Sequence, residues 1–202
     1  MKPRIALIAV ALATVTAAPA MADNHFLFEV DAGLQTDLGA DDNSGRALGG
    51  TFGFGGRIPG TRPAYYFVGR LGVAEQVYGG SDAFGAPTLD CASTEWALGA
   101  RMYLPITDRF RAMLQLSLGE TMQYTDIHYD GRRPLRVEED LFSIWAGAGL
   151  QYRFTNHFSL GALVNLGWHP EDRPDLVTRS AGIDTDGAIS QMRFGVTTTF
   201  HF

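Results

Sequence analysis

Eight charged side chains of this chain could act together chemically: Glu29, Asp31, Arg70, Glu95, Arg101, Arg111, Arg153 and Arg193. Each lies in a segment of alternating apolar and polar residues, on the polar side of the alternation. Carboxylates and guanidinium groups on one face of neighbouring strands can neutralise each other as ion pairs, or they can line a narrow pore. Which of these applies depends on the fold that positions them.

His157 and Ser159 form a second candidate group, a His-x-Ser pair. Period two places both side chains on one face of a strand, as a serine nucleophile and its general base require. No third catalytic group accompanies them. We therefore interpret the pair as a turn histidine followed by an inward-facing serine, and we expect no catalytic residue in the chain.

Cys91 and several loop acids are the remaining candidates. Cys91 is the only cysteine, so the chain forms no internal disulfide, and we expect this residue in a long loop. Five loop acids could bind calcium or the divalent cations that bridge lipopolysaccharide; they are Asp37, Asp41, Asp42, Asp184 and Asp186. Because the rest of a calcium-binding loop is missing, we expect a solvated acidic surface, no metal site and no cofactor.

Residues 1–22 have the features of an export signal, with Lys2 and Arg4 before an apolar run and small residues at 20–22. We expect one mature domain over residues 23–202, which holds 14 arginines, no lysine and 22 acidic residues. This acidic balance argues against nucleic acid as a partner. No later stretch approaches the roughly 20 apolar residues of a spanning helix, so integration into a membrane requires a β-barrel.

The mature chain divides into segments in which apolar and polar residues alternate with period two, as in half-buried strands. In the last segment, Phe194, Val196 and Phe200 share one face, while Thr197 and Thr199 lie on the other. The eight predicted strands cover residues 26–35, 47–58, 65–75, 95–104, 110–124, 141–154, 158–168 and 188–202.

The links between these strands alternate in length. Short links are predicted at residues 59–64, 105–109 and 155–157, and long links at 36–46, 76–94, 125–140 and 169–187. This pattern is typical of a transmembrane barrel with tight periplasmic turns and larger extracellular loops. A soluble β-sandwich, the alternative that alternation alone leaves open, does not require it.

Outward aromatic residues fall at two heights along the predicted strands, as expected for the two interfaces of a bilayer. The periplasmic group comprises Tyr65, Phe67, Phe110, Tyr152, Phe154, Phe158, Phe200 and Phe202. The opposite group comprises Trp96, Tyr124, Phe142 and Trp168. A soluble sandwich has no reason to sort its aromatic residues by height.

Together these features resemble the small OmpA/OmpX-type outer-membrane β-barrels. The resemblance implies an all-β fold, an eight-stranded antiparallel transmembrane barrel after a cleaved signal peptide, located in the cell outer membrane among lipid and lipopolysaccharide. It also implies that Phe200 and Phe202 form the assembly signal for the barrel-assembly machinery, although Thr197 stands where the family usually has glycine.

The resemblance implies a structural role without catalysis, in membrane integrity or in surface interaction through four long extracellular loops with an unidentified ligand. Two alternatives remain open. One is a small gated pore for ions or solutes, because the eight charges point inward. The other is a lipid-modifying outer-membrane enzyme, because the pair of His157 and Ser159 resembles that of the eight-stranded lipid A deacylases.

Overall fold

The computed structural model describes residues 25–37, 43–58, 60–78, 88–128, 135–170 and 189–202. These residues form one closed antiparallel barrel of eight strands in chain order, which confirms the predicted fold class. The strands are β1 (Phe26–Asp37), β2 (Asn43–Arg57), β3 (Ala64–Tyr78), β4 (Thr88–Pro105), β5 (Phe110–His128), β6 (Leu135–Arg153), β7 (Phe158–His169) and β8 (Ile189–His201). The predicted signal, residues 1–22, lies outside the described residues.

The barrel closes where β1 pairs with β8. The ladder runs from Leu27 opposite His201 to Asp37 opposite Gln191, and Phe26 and Phe202 exchange backbone hydrogen bonds of 3.1 and 2.9 Å. Closure pairs the first strand with the last, so within the closed part of the barrel each strand has a hydrogen-bonded neighbour on both sides. We call the end with residues 60–63, 106–109 and 154–157 the turn end, and the opposite end the loop end.

The alternation of the sequence becomes an inverted arrangement, with apolar side chains outside and polar ones inside. Outward residues such as Phe52, Leu116 and Val196 are more than half exposed, whereas Glu29 and Gln151 are fully buried in the lumen. A soluble protein rarely exposes apolar surface on this scale. The sandwich alternative is therefore excluded, because its apolar faces would pack against each other.

No helix long and apolar enough to cross a membrane occurs in the part of the chain that the structure describes.

Three strands extend well beyond the prediction at the loop end. β4, β5 and β6 contain 18, 19 and 19 residues, whereas a transmembrane strand needs about 9–11. Residues 88–94, 122–128 and 135–140 pair as a continuous three-stranded sheet, which we call the ledge. The prediction assigned most of it to loops because apolar alternation ends at the membrane, whereas backbone pairing continues. Cys91 consequently lies on β4, buried and 3.4 Å from the Thr125 hydroxyl, and not in a loop.

Glycine is required on the β1 side of the closing seam. Gly33 on β1 lies opposite Gly195 on β8, and a Cβ atom at Gly33 would overlap the carbonyl oxygen of Phe194. Gly50 on β2 differs, because the nearest atom to its added Cβ is the Glu29 carbonyl oxygen at 3.9 Å. Gly33 and Gly50 therefore provide a matched test of closure.

We expect Gly33→Val to prevent barrel closure, because the backbone carbonyl in its path cannot move without breaking the ladder between β1 and β8. Gly50→Val, the same substitution at a position with open space, should fold like the wild type. The measurement is the fraction of protein refolded in detergent micelles that migrates faster on gels before boiling than after. Equal folded fractions for Gly33→Val and wild type would show that closure between β1 and β8 does not require glycine at position 33.

Candidate functional site in the barrel interior

Four of the charged residues form a chain of ion pairs across the lumen. Arg70 on β3 binds Asp31 on β1 with both terminal nitrogens, at 2.6 and 2.9 Å, and its Nε donates to Glu95 on β4 at 2.8 Å. The second oxygen of Glu95 lies 2.6 Å from Arg193 on β8. All four side chains are buried. The chain thus connects four strands through two carboxylates and two guanidinium groups.

Arg193, which ends this chain of ion pairs, also contacts a glutamine and an aromatic ring. Its Nε donates to the side-chain oxygen of Gln35, and its guanidinium carbon lies 4.2 Å from the ring centre of Trp145. The adjacency of β1 and β8 would by itself favour Glu29 or Asp31 as the partner of Arg193. Its ion-pair partner is Glu95 on β4 instead, because a long arginine side chain reaches across a narrow lumen.

A second, separate ion pair joins Glu29 on β1 to Arg101 on β4 at 2.9 Å. The remaining oxygen of Glu29 accepts hydrogen bonds from Gln151 at 3.0 Å and from Thr199 at 2.7 Å. Arg101 also donates to Gln115 and to the hydroxyl of Tyr103. Every oxygen of this buried carboxylate is therefore bound, which is what burial of a charge requires.

Two inward glycines make room for the ion pairs. A Cβ atom at Gly49 would lie 2.7 Å from Arg70 Nη2 and from Asp31, and one at Gly72 would lie 2.6 Å from Glu95 Oε1. Both distances are shorter than real Cβ contacts. The glycines of β2 and β3 are thus part of the charged site, because any larger residue would displace it.

Two of the eight predicted members lie outside the ion pairs. Arg111 donates to Gln151, Ser159 and His201, and its guanidinium carbon lies 4.1 Å from the ring centre of Tyr103. Arg153 is half-buried and donates to the backbone carbonyl of Asp108 at 2.9 Å. Both lie at the turn end, and neither forms an ion pair with a carboxylate of the described residues.

An apolar cluster closes the lumen near the turn end. It consists of Leu27, Tyr66, Val68, Tyr103, Met113 and Leu163, all at most 5% exposed. Tyr66 and Tyr103 meet edge to face with ring centres 5.7 Å apart. The ion pairs in the middle of the barrel and this cluster near the turn end together fill the described lumen with side chains in contact.

The suspected pair of His157 and Ser159 does not come together as a nucleophile and base. Nδ1 of His157 lies 2.9 Å from the carbonyl oxygen of His201, and Ser159 accepts a hydrogen bond from Arg111. A different pair, which the sequence analysis missed, does form: Ser143 Oγ lies 2.9 Å from His169 Nδ1. Both residues are at most 1% exposed inside the barrel, so a lipid outside the wall cannot reach them.

Among the residues the structure describes, no group of three or more His, Cys, Asp or Glu side chains has the arrangement of a metal site. Four of the five suspected loop acids, Asp41, Asp42, Asp184 and Asp186, lie outside the described residues. The two residues predicted to form the assembly signal lie at the seam at the turn end, with Phe200 facing outward and Phe202 paired to Phe26.

The sequence analysis also did not identify the uncharged side chains that bind the charged groups. Gln35, Gln115, Gln151 and Thr199 have the inward parity that the alternation predicts, so the sequence places them in the lumen. It does not say which charge each one binds, because those contacts cross between strands that are distant around the barrel.

The chain was compared with known proteins. The family described as "Outer membrane protein beta-barrel domain" matches residues 7–202. The crystal structure of Neisserial surface protein A is similar with a TM-score of 0.55 and 12% identity, covering 88% of this chain and 97% of that one. The crystal structure of a major outer membrane protein from Thermus thermophilus is similar with a TM-score of 0.50 and 12% identity, and the match covers 87% of this chain and 99% of that one. The crystal structure of the outer membrane enzyme PagL has a TM-score of 0.49 and 13% identity, and the match covers 85% of this chain and 97% of that one. No curated protein matches the chain.

At these identities, the likeness to Neisserial surface protein A and to the Thermus protein shows the fold alone, and no function of theirs is assigned to this chain.

We expect Arg70→Ala to lower the free energy of unfolding by about 3–5 kcal/mol, because it leaves the buried carboxylate of Asp31 without a cation. The control is Arg136→Ala, which removes an exposed arginine paired with Asp126 at 2.7 Å and should change stability little. Denaturant unfolding in detergent micelles measures both. Equal effects of the two substitutions would show that the buried ion pairs do not support the barrel.

Proposed function

Because this chain belongs to the outer membrane protein β-barrel family, we propose that it is a non-enzymatic structural protein of the outer membrane. It strengthens the permeability barrier as a closed cylinder and presents its loop end to the medium. The observation that carries this proposal is the filled lumen, in which three carboxylates pair with three arginines above an apolar cluster.

The filled lumen argues against the pore alternative. An eight-stranded barrel has an interior just wide enough for side chains, and here those side chains are tied to one another across it. Opening a path would require breaking buried ion pairs, each of which leaves an unpaired charge. The eight inward charges are therefore better explained as a core than as the lining of a channel.

The positions of the serine–histidine pairs argue against the enzyme alternative. A lipid substrate approaches from the outside of the wall or from the medium, whereas Ser143 and Ser159 are at most 1% exposed within the lumen. His157 is exposed at the turn end but is bound to a backbone carbonyl. Neither serine thus offers a substrate both an accessible hydroxyl and an adjacent base.

The ledge supports surface interaction as a second role. It carries five carboxylates, Asp90, Asp126, Glu138, Glu139 and Asp140, and one arginine, Arg136. Hydrogen bonds from Arg136 hold the pKa of the Asp126 carboxyl below its usual range, so this acid stays charged in mildly acidic media. A rigid acidic sheet of this kind suits a basic partner outside the cell, and lipopolysaccharide could contact it through divalent cations.

Biogenesis would use the aromatic residues of β8. We propose that the barrel-assembly machinery recognises Phe200 and Phe202, which lie at the seam where β8 meets β1. Recognition at the seam is physically reasonable, because the last strand pair to form is the one that closes the barrel.

We expect cells that lack the protein to take up more of the hydrophobic dye N-phenyl-1-naphthylamine, because the barrier loses a structural component. Wild-type protein should restore exclusion, and Gly33→Val should not. Purified wild-type protein should produce no discrete conductance steps in planar bilayers. Unchanged dye uptake, together with steps that Arg193→Ala alters, would replace the structural proposal with the pore.

We expect an epitope tag inserted within residues 129–134 to be accessible to antibody on intact cells, because this link follows the ledge at the loop end. A tag within residues 106–109 should react only after the outer membrane is permeabilised, because these tight turns are proposed to face the periplasm. Immunofluorescence with and without permeabilisation measures both. The reverse pattern would place the ledge in the periplasm and exclude its surface role.

A further inference from the structure

A cavity of about 490 Å³ opens at the turn end of the barrel. Five arginines line it, namely Arg57, Arg62, Arg109, Arg111 and Arg153. The one carboxylate in its lining is Asp108. The cavity adjoins the apolar cluster, with which it shares Tyr103, and it includes Arg111 and Arg153, the two predicted members that lie outside the ion pairs.

None of these five guanidinium groups forms an ion pair with a carboxylate of the described residues. Arg109 donates to the hydroxyl of Tyr152 at 2.9 Å, and Arg153 donates to a backbone carbonyl. Arg111 is held between Tyr103 and the polar side chains of the lumen. Arginines in the middle of the barrel are neutralised by carboxylates, whereas those at the turn end are not.

This basic end contrasts with the rest of an acidic chain, whose formal net charge is −6. The ledge at the opposite end has five carboxylates and one arginine. A concave site lined by one sign of charge concentrates the field and attracts the opposite ion. The turn end is therefore the part of the described protein that favours an anion.

Aromatic rings beside the cavity indicate that it lies near the interface between a bilayer and water. Outward rings form a continuous row beside it, with centres 5.0 Å apart for Phe110 and Tyr152, 4.8 Å for Tyr152 and Phe154, and 5.6 Å for Phe154 and Phe158. Aromatic belts of this kind sit at the interface between bilayer and water. Arg109 connects the two features, because it lines the cavity and donates to Tyr152 in the belt.

We propose that the cavity at the turn end binds a phosphate group. The planar guanidinium fork matches phosphate oxygens in two-point hydrogen bonding, and five arginines with one carboxylate provide the charge to hold it. Two sources can supply this chemistry: the headgroup of an anionic phospholipid in the adjacent leaflet, or a free phosphate in the aqueous space. This proposal does not depend on the proposed function, since either source is present whatever the loops do.

The test compares two pairs of substitutions that change net charge equally. Arg62→Gln with Arg109→Gln removes two exposed arginines from the cavity, and Arg46→Gln with Arg136→Gln removes two arginines from the loop end. Each folded protein is titrated with phosphatidylglycerol in detergent and followed by native mass spectrometry. In parallel, each protein in phosphatidylcholine nanodiscs is titrated with inorganic phosphate by calorimetry. Gel migration before and after boiling verifies that every variant is folded.

We expect the dissociation constant for the bound phosphate compound to rise about tenfold in the turn-end variant, because charge-assisted hydrogen bonds are lost. It should not change in the loop-end variant. Binding of phosphatidylglycerol alone would identify a lipid headgroup as the ligand, and binding of inorganic phosphate would identify a free anion. The proposal is overturned if wild type binds neither probe, or if both variants weaken binding equally.

Discussion

The pairing of charges within a narrow lumen is the constraint on which the rest of this structure depends. Eight strands leave an interior that side chains must fill, and the outward faces are committed to lipid. The described middle of the lumen holds three carboxylates and three arginines in contact. An unequal number of carboxylates and arginines there would leave a buried charge without a partner. The free-energy cost of such an unpaired charge exceeds the stability that the intact ion pair contributes.

This constraint explains features that are remote from the charges in sequence. Gly49 and Gly72 are small because the space beside them is occupied by Asp31, Arg70 and Glu95. Glutamine and threonine side chains fill the remaining positions because each can satisfy a free oxygen or N–H of an ion pair. The apolar cluster near the turn end completes the filling. The lumen is therefore a polar core, around which the strands close as a cylinder.

The two ends of the barrel differ in charge and in shape. The loop end extends as the ledge, whose paired strands carry acids past the level of Trp96 and Phe142. The turn end is short, ringed by aromatic contacts, and lined by arginines that have no carboxylate partner among the described residues. The protein therefore presents an acidic surface on one side of a membrane and a basic cavity on the other, while the charges in its middle are paired.

The sequence by itself determined the class of fold, the number of strands, and which side chains face lipid. These follow from local rules, since period-two alternation and turn residues act within a few positions. It also placed all eight charged residues on inward faces. The tertiary structure decided the partners: Glu95 for Arg193, Arg101 for Glu29, and none of the described carboxylates for Arg111. The tertiary structure also determined where the strands end beyond the membrane, and that Cys91 is buried on a strand. Contacts across a lumen depend on tilt, register and side-chain reach, which no local pattern encodes.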